Sequence, residues 1–274
     1  MNLQAYKMDG LGNDFVIIDQ RIKNIDLARE TIVKICDRNN IGCDQLIVIK
    51  KNRELDAGLE FYNADGSRSG ACGNGTRCVA YLLSKENSKD TISVWTESGI
   101  LISDILQNNF VSTKIGIAKT QWHEIPLREE RSTKNIGFKI LDNNNNEFTG
   151  GTVINVGNPH LVFFIKDINN FNIKKIGAKL ENHKLFPEKC NITLAEVINK
   201  KLIKVKVWER GAGLTKACGT AACATAMAGH INNLTERKTD IQFELGKLSI
   251  FIDDQNNIHL AGPVSDIKKI DIEI

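Results

Sequence analysis

The chain has almost no surplus charge. In 274 residues, 36 Lys plus Arg stand against 33 Asp plus Glu, a formal charge of only +3, and no basic tract interrupts the balance. The electrostatic footprint of a nucleic-acid binder is therefore missing, which excludes nucleic acid as an expected partner. Long hydrophobic runs are missing too. A stretch such as Leu161 to Ile165 is five residues long, where a membrane span needs about 20. Met1 to Gly10 carries no apolar signal-peptide core, so the expectation is a soluble, cytoplasmic protein with no membrane partner. Paired-cysteine motifs are also wanting. The chain has seven cysteines, an odd number, and none lie in a CxxC arrangement. Without an export signal the default is reduced thiols, and neither a disulfide framework nor a metal site is expected. Apolar residues make up 42% of the chain, enough for one large core or two of moderate size, which excludes disorder as a global description.

The chain repeats itself. GlyAsn at 12–13, Tyr62, AlaCysGly at 71–73, Gly99 and Gly116 recur in the same order as GlyAsn at 157–158, Trp208, AlaCysGly at 217–219, Gly246 and Gly262. The spacing is about 146 residues throughout, the mark of a duplicated unit. Each copy reads as strands, a glycine-rich turn, a helix and more strands. In the first, strands are expected at Leu3–Met8, Phe15–Asp19, Leu46–Ile49, Leu59–Tyr62, Thr91–Thr96, Ile100–Ile105 and Phe110–Ile115. Asp26 is expected to cap a helix carrying Leu27, Ile32, Ile35 and Cys36, and a buried helix is expected over residues 74–84. In the second, strands are expected at Val153–Asn155, Leu161–Ile165, Ile192–Val197, Leu202–Trp208, Ile241–Leu245, Leu248–Ile252 and Ile258–Leu260. The small residues Ala221, Ala222, Ala224, Ala226 and Ala228 suit a tightly packed central helix over Gly219–Ile231. Asn143 to Asn146 reads as a solvated hairpin tip. The predicted division is a first domain over residues 1–117, joined by a returning strand within 263–274, and a second over 118–262.

Cys72 and Cys218 occupy equivalent places, each after a turn and just before a helix. Unpaired backbone donors and the positive end of the helix dipole can lower the pKa of a thiol there from about 8.5 to roughly 3.5–7.5. The same donors, from Gly73 and Asn74 in one copy and Gly219 and Thr220 in the other, can cradle a carboxylate. Two thiols on opposite faces of one carbon are what stereochemical inversion requires, one removing a proton and the other delivering one, without a cofactor. A thiol redox or metal-binding module and a silent amino acid binding protein are the competing readings. Cys36, Cys43, Cys78, Cys190 and Cys223 read as packing residues. Asp14 and Asp65 read as turn residues.

GlyAsnAspPhe at 12–15, TyrAsnAlaAspGly at 62–66, AlaCysGlyAsnGlyThrArg at 71–77, GlyAsnProHis at 157–160, GluArgGlyAlaGly at 209–213 and AlaCysGlyThr at 217–220 together resemble diaminopimelate epimerase over nearly the whole chain. The resemblance implies a fold of two pseudo-symmetric α/β domains, each with strands wrapped around a central helix. It also implies cofactor-independent interconversion of LL- and meso-2,6-diaminoheptanedioate, on the route to lysine and peptidoglycan. By motif, Cys72 and Cys218 would transfer protons. Gly73, Asn74, Gly219 and Thr220 would cradle the carboxylate. Asn13, Gln45, Asn63, Asn158 and Asn191 would fix the two amino acid ends. Glu209 and Arg210 would hold the reacting amino group and a carboxylate, and His160 would assist. No metal is implied, and the partner is the small-molecule substrate. A related two-cysteine proline or hydroxyproline racemase is the nearest rival, though it has no need of a distal set of Asn and Arg contacts. The tail from Ser265 lacks the aromatic residue that supports dimers in some relatives, so a homodimer is left open. Leu214 replaces a residue that is commonly polar in the family.

Overall fold

The structure, a computed structural model, describes residues 2–273; Met1 and Ile274, the outer limits of the predicted domains, lie outside the described residues. The chain forms two compact units. One runs to Lys114 and resumes at Ala261, and the other is Ile115–Leu260.

The first unit contains β1 (Asn2–Gly10), β2 (Asn13–Asp19), α1 (Arg29–Cys36), β3 (Gln45–Lys50), β4 (Ala57–Asn63), β5 (Arg68–Ser69), α2 (Gly73–Asn87), β6 (Thr91–Thr96), β7 (Gly99–Ile105) and β8 (Phe110–Ile117), the last ending in the second unit. Strands β2 and β3 pair in parallel, with Phe15 opposite Gln45, and β4 returns antiparallel with Asn63 opposite Gln45. Continuous apolar runs suit such strands because both faces are covered. Phe15, Ile17 and Ile47 point into a core built on α2, while the intervening Val16, Ile18 and Leu46 meet Ile32 and Ile35 of α1. Residues Asn74–Ser84 of α2 are buried all round, so this helix lies inside its wrapping of strands. Asp26 does not cap α1: the N-cap is Ala28, with no side-chain hydrogen bond. An N-cap oxygen reaches only the second or third helical N–H, and Asp26 lies too far upstream for that.

The second unit repeats the plan. It contains β9 (Phe138–Leu141), β10 (Glu147–Gly150), β11 (Thr152–Asn155), β12 (Pro159–Phe164), α3 (Ile173–Leu180), β13 (Asn191–Asn199), β14 (Leu202–Glu209), β15 (Gly213–Thr215), α4 (Gly219–Ile231), β16 (Lys238–Phe243), β17 (Gly246–Ile252) and β18 (Asn257–Pro263), the last ending in the first unit. Again two strands pair in parallel, β12 with β13, His160 opposite Asn191, and β14 returns antiparallel with Trp208 opposite Ile192. Residues Ala221–Gly229 of α4 are buried. Asn143–Asn146 turns the β9–β10 hairpin, where Asp142 Oδ1 accepts from the Asn144 and Asn146 N–H groups at 2.8 Å each. Helix α3 escaped the sequence reading, although Ile173, Ile176 and Leu180 make an apolar stripe at helical spacing. A last strand, β19 (Lys268–Glu273), pairs antiparallel with β1 from Lys7↔Lys268 to Asn2↔Glu273.

Candidate functional site

In the first unit, Asn13 opens β2, Gln45 opens β3, Asn63 closes β4 and Cys72 is the N-cap of α2. The plan of parallel β2 and β3 with an antiparallel return carries these side chains to one edge. Cys72 has extended backbone angles, φ −141° and ψ 114°, and its carbonyl accepts the first helical bond from Thr76 at 2.8 Å. The N–H groups of Gly73, Asn74 and Gly75 precede that first bond and have no partner within the helix. Asn13 Oδ1 lies 3.8 Å from Cys72 Sγ and 3.2 Å from Asn74 Nδ2, while Asn13 Nδ2 donates to Asp44 at 2.9 Å. Because its amide nitrogen is committed to a carboxylate, Asn13 turns its oxygen towards the sulfur, and the Cys72 S–H is the donor. Gln45 Nε2 donates to Asn63 Oδ1 at 2.9 Å, and Asn63 Nδ2 donates to Ser67 at 3.0 Å. Asp65 fulfils its turn role by accepting from the Ser67 N–H at 2.9 Å. Asp14 does more than turn the chain. Burial would raise its pKa, but hydrogen bonds from Arg38 and then Lys7 bring it down to about 2, and Arg38 also bridges to Asp44 at 2.6 Å. The sequence held no signal for this cluster, since Arg38 and Asp44 lie 24 or more residues beyond Lys7 and Asp14.

The second unit brings the corresponding positions to the corresponding edge. Asn158 precedes β12, Asn191 opens β13, Glu209 closes β14, and Cys218 caps α4 at φ −143° and ψ 116°, within a few degrees of Cys72. The first helical bond again returns to the cysteine carbonyl, from Ala222 at 3.0 Å. The cysteines differ in surroundings. Cys72 is half-buried, whereas Cys218 is 6% exposed. Burial pushes the Cys218 thiol well above its ordinary pKa, and the Glu209 charge adds to this, against the pull of the Thr220 hydroxyl at 3.4 Å and the Ala221 amide. The lowering expected at a helix start is therefore overturned at Cys218, because desolvation of the thiolate outweighs the dipole.

His160 is fully buried, and its Nε2 meets Asn158 Oδ1 at 2.9 Å. Burial, followed by the Arg210 charge, lowers its pKa to about 3. The imidazole is neutral, and since a carbonyl oxygen only accepts, Nε2 carries the proton. Nδ1 is left as a bare acceptor with no hydrogen-bond partner among the described residues. Asn191 is buried and holds protein groups: its Oδ1 accepts the Arg210 N–H at 3.0 Å and its Nδ2 donates to the Pro159 carbonyl at 2.9 Å. The Arg210 guanidinium donates to the Glu188 carbonyl at 2.6 Å. Leu214, opposite Trp208 on β15, is 47% exposed. Residues the sequence did not single out also belong here: Glu181, which accepts from Trp208 Nε1 at 2.8 Å and from the Gly211 N–H at 2.9 Å, and Asp44 beside Asn13.

The fold is shared with solved structures of low sequence identity. A predicted epimerase from Pseudomonas aeruginosa matches with TM-score 0.69 and 13% identity, covering 99% of both chains. A hydroxyproline epimerase from Agrobacterium vitis matches with TM-score 0.68 and 9% identity, covering 100% of this chain and 93% of the other. These define the class: a duplicated α/β fold with one helix wrapped by strands in each half. The family model for diaminopimelate epimerase matches residues 5–120 and 152–267. The diaminopimelate epimerase of Pelagibacter ubique (strain HTCC1062) is 64% identical over 274 residues, the full length of both chains. That of Acidiphilium cryptum (strain JF-5) is 39% identical over 260 residues, 94% of this chain and 92% of the other. The chain belongs to the diaminopimelate epimerase family.

Proposed function

We propose that the chain interconverts LL- and meso-2,6-diaminoheptanedioate by transferring protons between the substrate α-carbon and two cysteines, Cys72 and Cys218. The observation that carries this reading is the matched placement of the two sulfurs, each on the N-cap residue of a buried helix in a member of this family. An α-proton of an amino acid is weakly acidic, so the site must stabilise the negative charge that develops on the carboxylate as the proton leaves. The free N–H groups of Gly73 and Asn74, and of Gly219 and Thr220, are donors suited to that charge. Glu209 and Arg210 supply a carboxylate and a guanidinium for the substrate's ammonium and carboxylate at the reacting centre. Asn13, Gln45, Asn63, Asn158 and Asn191 bind or orient its two amino acid ends, and neutral His160 offers Nδ1 as an acceptor.

Inversion needs one sulfur on each face of the α-carbon. Cys218, held protonated by burial and by Glu209, is the donor, while Cys72 in its thiolate form abstracts the proton. In the reverse direction the roles exchange. Proton transfer by thiols calls on no cofactor and no metal. All seven cysteines are free thiols, which suits a cytoplasmic, reducing setting. No helix among the described residues is long and apolar enough to cross a membrane. The domain reading follows the same logic, one cysteine to each half: residues 1–117 with 263–274, and 118–262.

The test is chiral analysis of diaminopimelate after incubation with the purified, reduced protein in deuterium oxide, with proline run in parallel. Deuterium should enter the α-position of diaminopimelate as LL and meso forms equilibrate. Turnover of proline instead, or full activity in Cys72→Ala or Cys218→Ala, would refute the reading.

A further inference from the structure

Glu181 follows the last residue of α3 and is 7% exposed. A carboxylate at a helix C-terminus faces the negative end of the dipole, and burying it is costly unless its oxygens are hydrogen-bonded. Its bonds account for the placement. Oε2 accepts from Trp208 Nε1 at 2.8 Å, and Oε1 accepts from the Gly211 N–H at 2.9 Å. These donors flank Glu209 and Arg210 along the chain. The Arg210 N–H is held in turn by Asn191, and Cys190, beside Asn191, donates its N–H to the Glu181 carbonyl at 3.2 Å.

The turn closes the β14–β15 hairpin, where Glu209 lies opposite Gly213, and the Arg210 guanidinium reaches the Glu188 carbonyl; at its tip the Glu181 carboxylate takes the Gly211 N–H. Gly211 and Ala212 are exposed, Gly211 has a φ of +77°, and the bond from the Ala212 N–H to the Glu209 carbonyl is 3.2 Å long. On the far side the indole is fixed as well: a Cβ on Gly177 of α3 would come within 2.2 Å of Trp208, so the glycine makes the slot in which the ring lies. Lys189 is only a distant companion, 3.9 Å from Oε1 and half-exposed.

We propose that Glu181 is a positioning residue for the epimerase reaction, its buried carboxylate fixing the turn that presents Glu209 and Arg210. This rests on the proposed function, because it assigns those two side chains to the reacting centre. Charged hydrogen bonds to two consecutive anchor points hold a flexible segment to a narrow range of positions. Misplacement of reacting groups by an ångström can reduce rate about 100-fold.

Glu181→Gln keeps the shape but puts an NH2 where one of the two carboxylate oxygens sat, so one of the two N–H donors faces another donor. The expected result is faster amide exchange over residues 209–213 by hydrogen–deuterium exchange, with kcat per folded molecule about 10- to 100-fold lower and KM changed less. Lys189→Ala should match wild type in both measurements. If the Gln variant does not fold, Glu181→Asp, which keeps the charge but shortens the reach, takes its place with the same expectations. Unchanged exchange in the variant overturns the clamp, and faster exchange with wild-type kcat overturns the positioning role. A wild-type protein inert towards diaminopimelate would defeat the proposed function instead, while the exchange measurement would still decide whether Glu181 holds the turn.

Discussion

Asn13 Oδ1 lies 3.8 Å from Cys72 Sγ, and its orientation is set from behind by Asp44, which takes the amide nitrogen at 2.9 Å. The side chain thus presents its oxygen, an acceptor, to the thiol. Asn13→Ala should lower kcat/KM about 10-fold or more, and Asp44→Ala should lower it less, because Asp44 reaches the thiol through Asn13 rather than directly. Steady-state kinetics on both variants and their double mutant checks this. Additive losses would show that the two residues act independently.

Cys72 is half-buried and the other six cysteines are buried. Alkylation with iodoacetamide at pH 8 should therefore mark Cys72 first, with Cys218 delayed by its raised pKa as well as its burial. Peptide mass spectrometry over a time course reads the order. Earlier labelling of Cys218 would contradict the environments described.

The pH dependence of stability has a definite sign. His160 is buried neutral with a pKa near 3, against about 6.5 in an unfolded chain, so the unfolded state takes up the proton first as pH falls. Its contribution is intact above about 6.5 and is lost progressively towards 3. Asp14, lowered to about 2 from about 3.9, acts in the same direction at the lower end, from about pH 5 downwards. Denaturant melts of wild type and His160→Gln should converge as pH drops from 7 to 4. A constant gap between them would mean that His160 is not the group responsible.

Gly75, on the first turn of α2, has no space for a side chain. A Cβ there would sit 2.7 Å from Ile47, 3.1 Å from Phe61 and 3.2 Å from Phe15. Gly75→Ala should destabilise the protein by about 1–3 kcal/mol through overpacking, seen as a lower midpoint in urea. The shift of α2 should also reduce activity through Cys72.

Where a feature depends on local pattern, the sequence was readable. Strand β6 and helix α4 occur over the residues expected, because alternation in one and a run of small residues in the other leave few alternatives. The duplication made Cys72 and Cys218 conspicuous. In the structure the equivalence extends to Gln45 with Asn191 and Asn63 with Glu209, each pair ending or opening corresponding strands. What the sequence hid depends on distant partners. The rise of the Cys218 pKa comes from burial and a carboxylate contributed by another strand. The ion cluster around Asp14 joins residues from β1, β2 and the segment after α1. Glu181 looks like an ordinary charge after a helix until its bonds to Trp208 and Gly211 are known. Helix α3 is faint in the sequence because its apolar stripe is only two turns long.

The pairing of β1 with β19 bears on how the polypeptide is made. The strand Lys268–Glu273 is translated after the entire unit that ends at Leu260. On the ribosome, the unit that emerges first must therefore hold β1 with β2 but without β19 until Lys268–Glu273 leaves the exit tunnel. The half carrying Cys218 can close its own strands earlier, so the order of completion during synthesis is the reverse of the order of the chain.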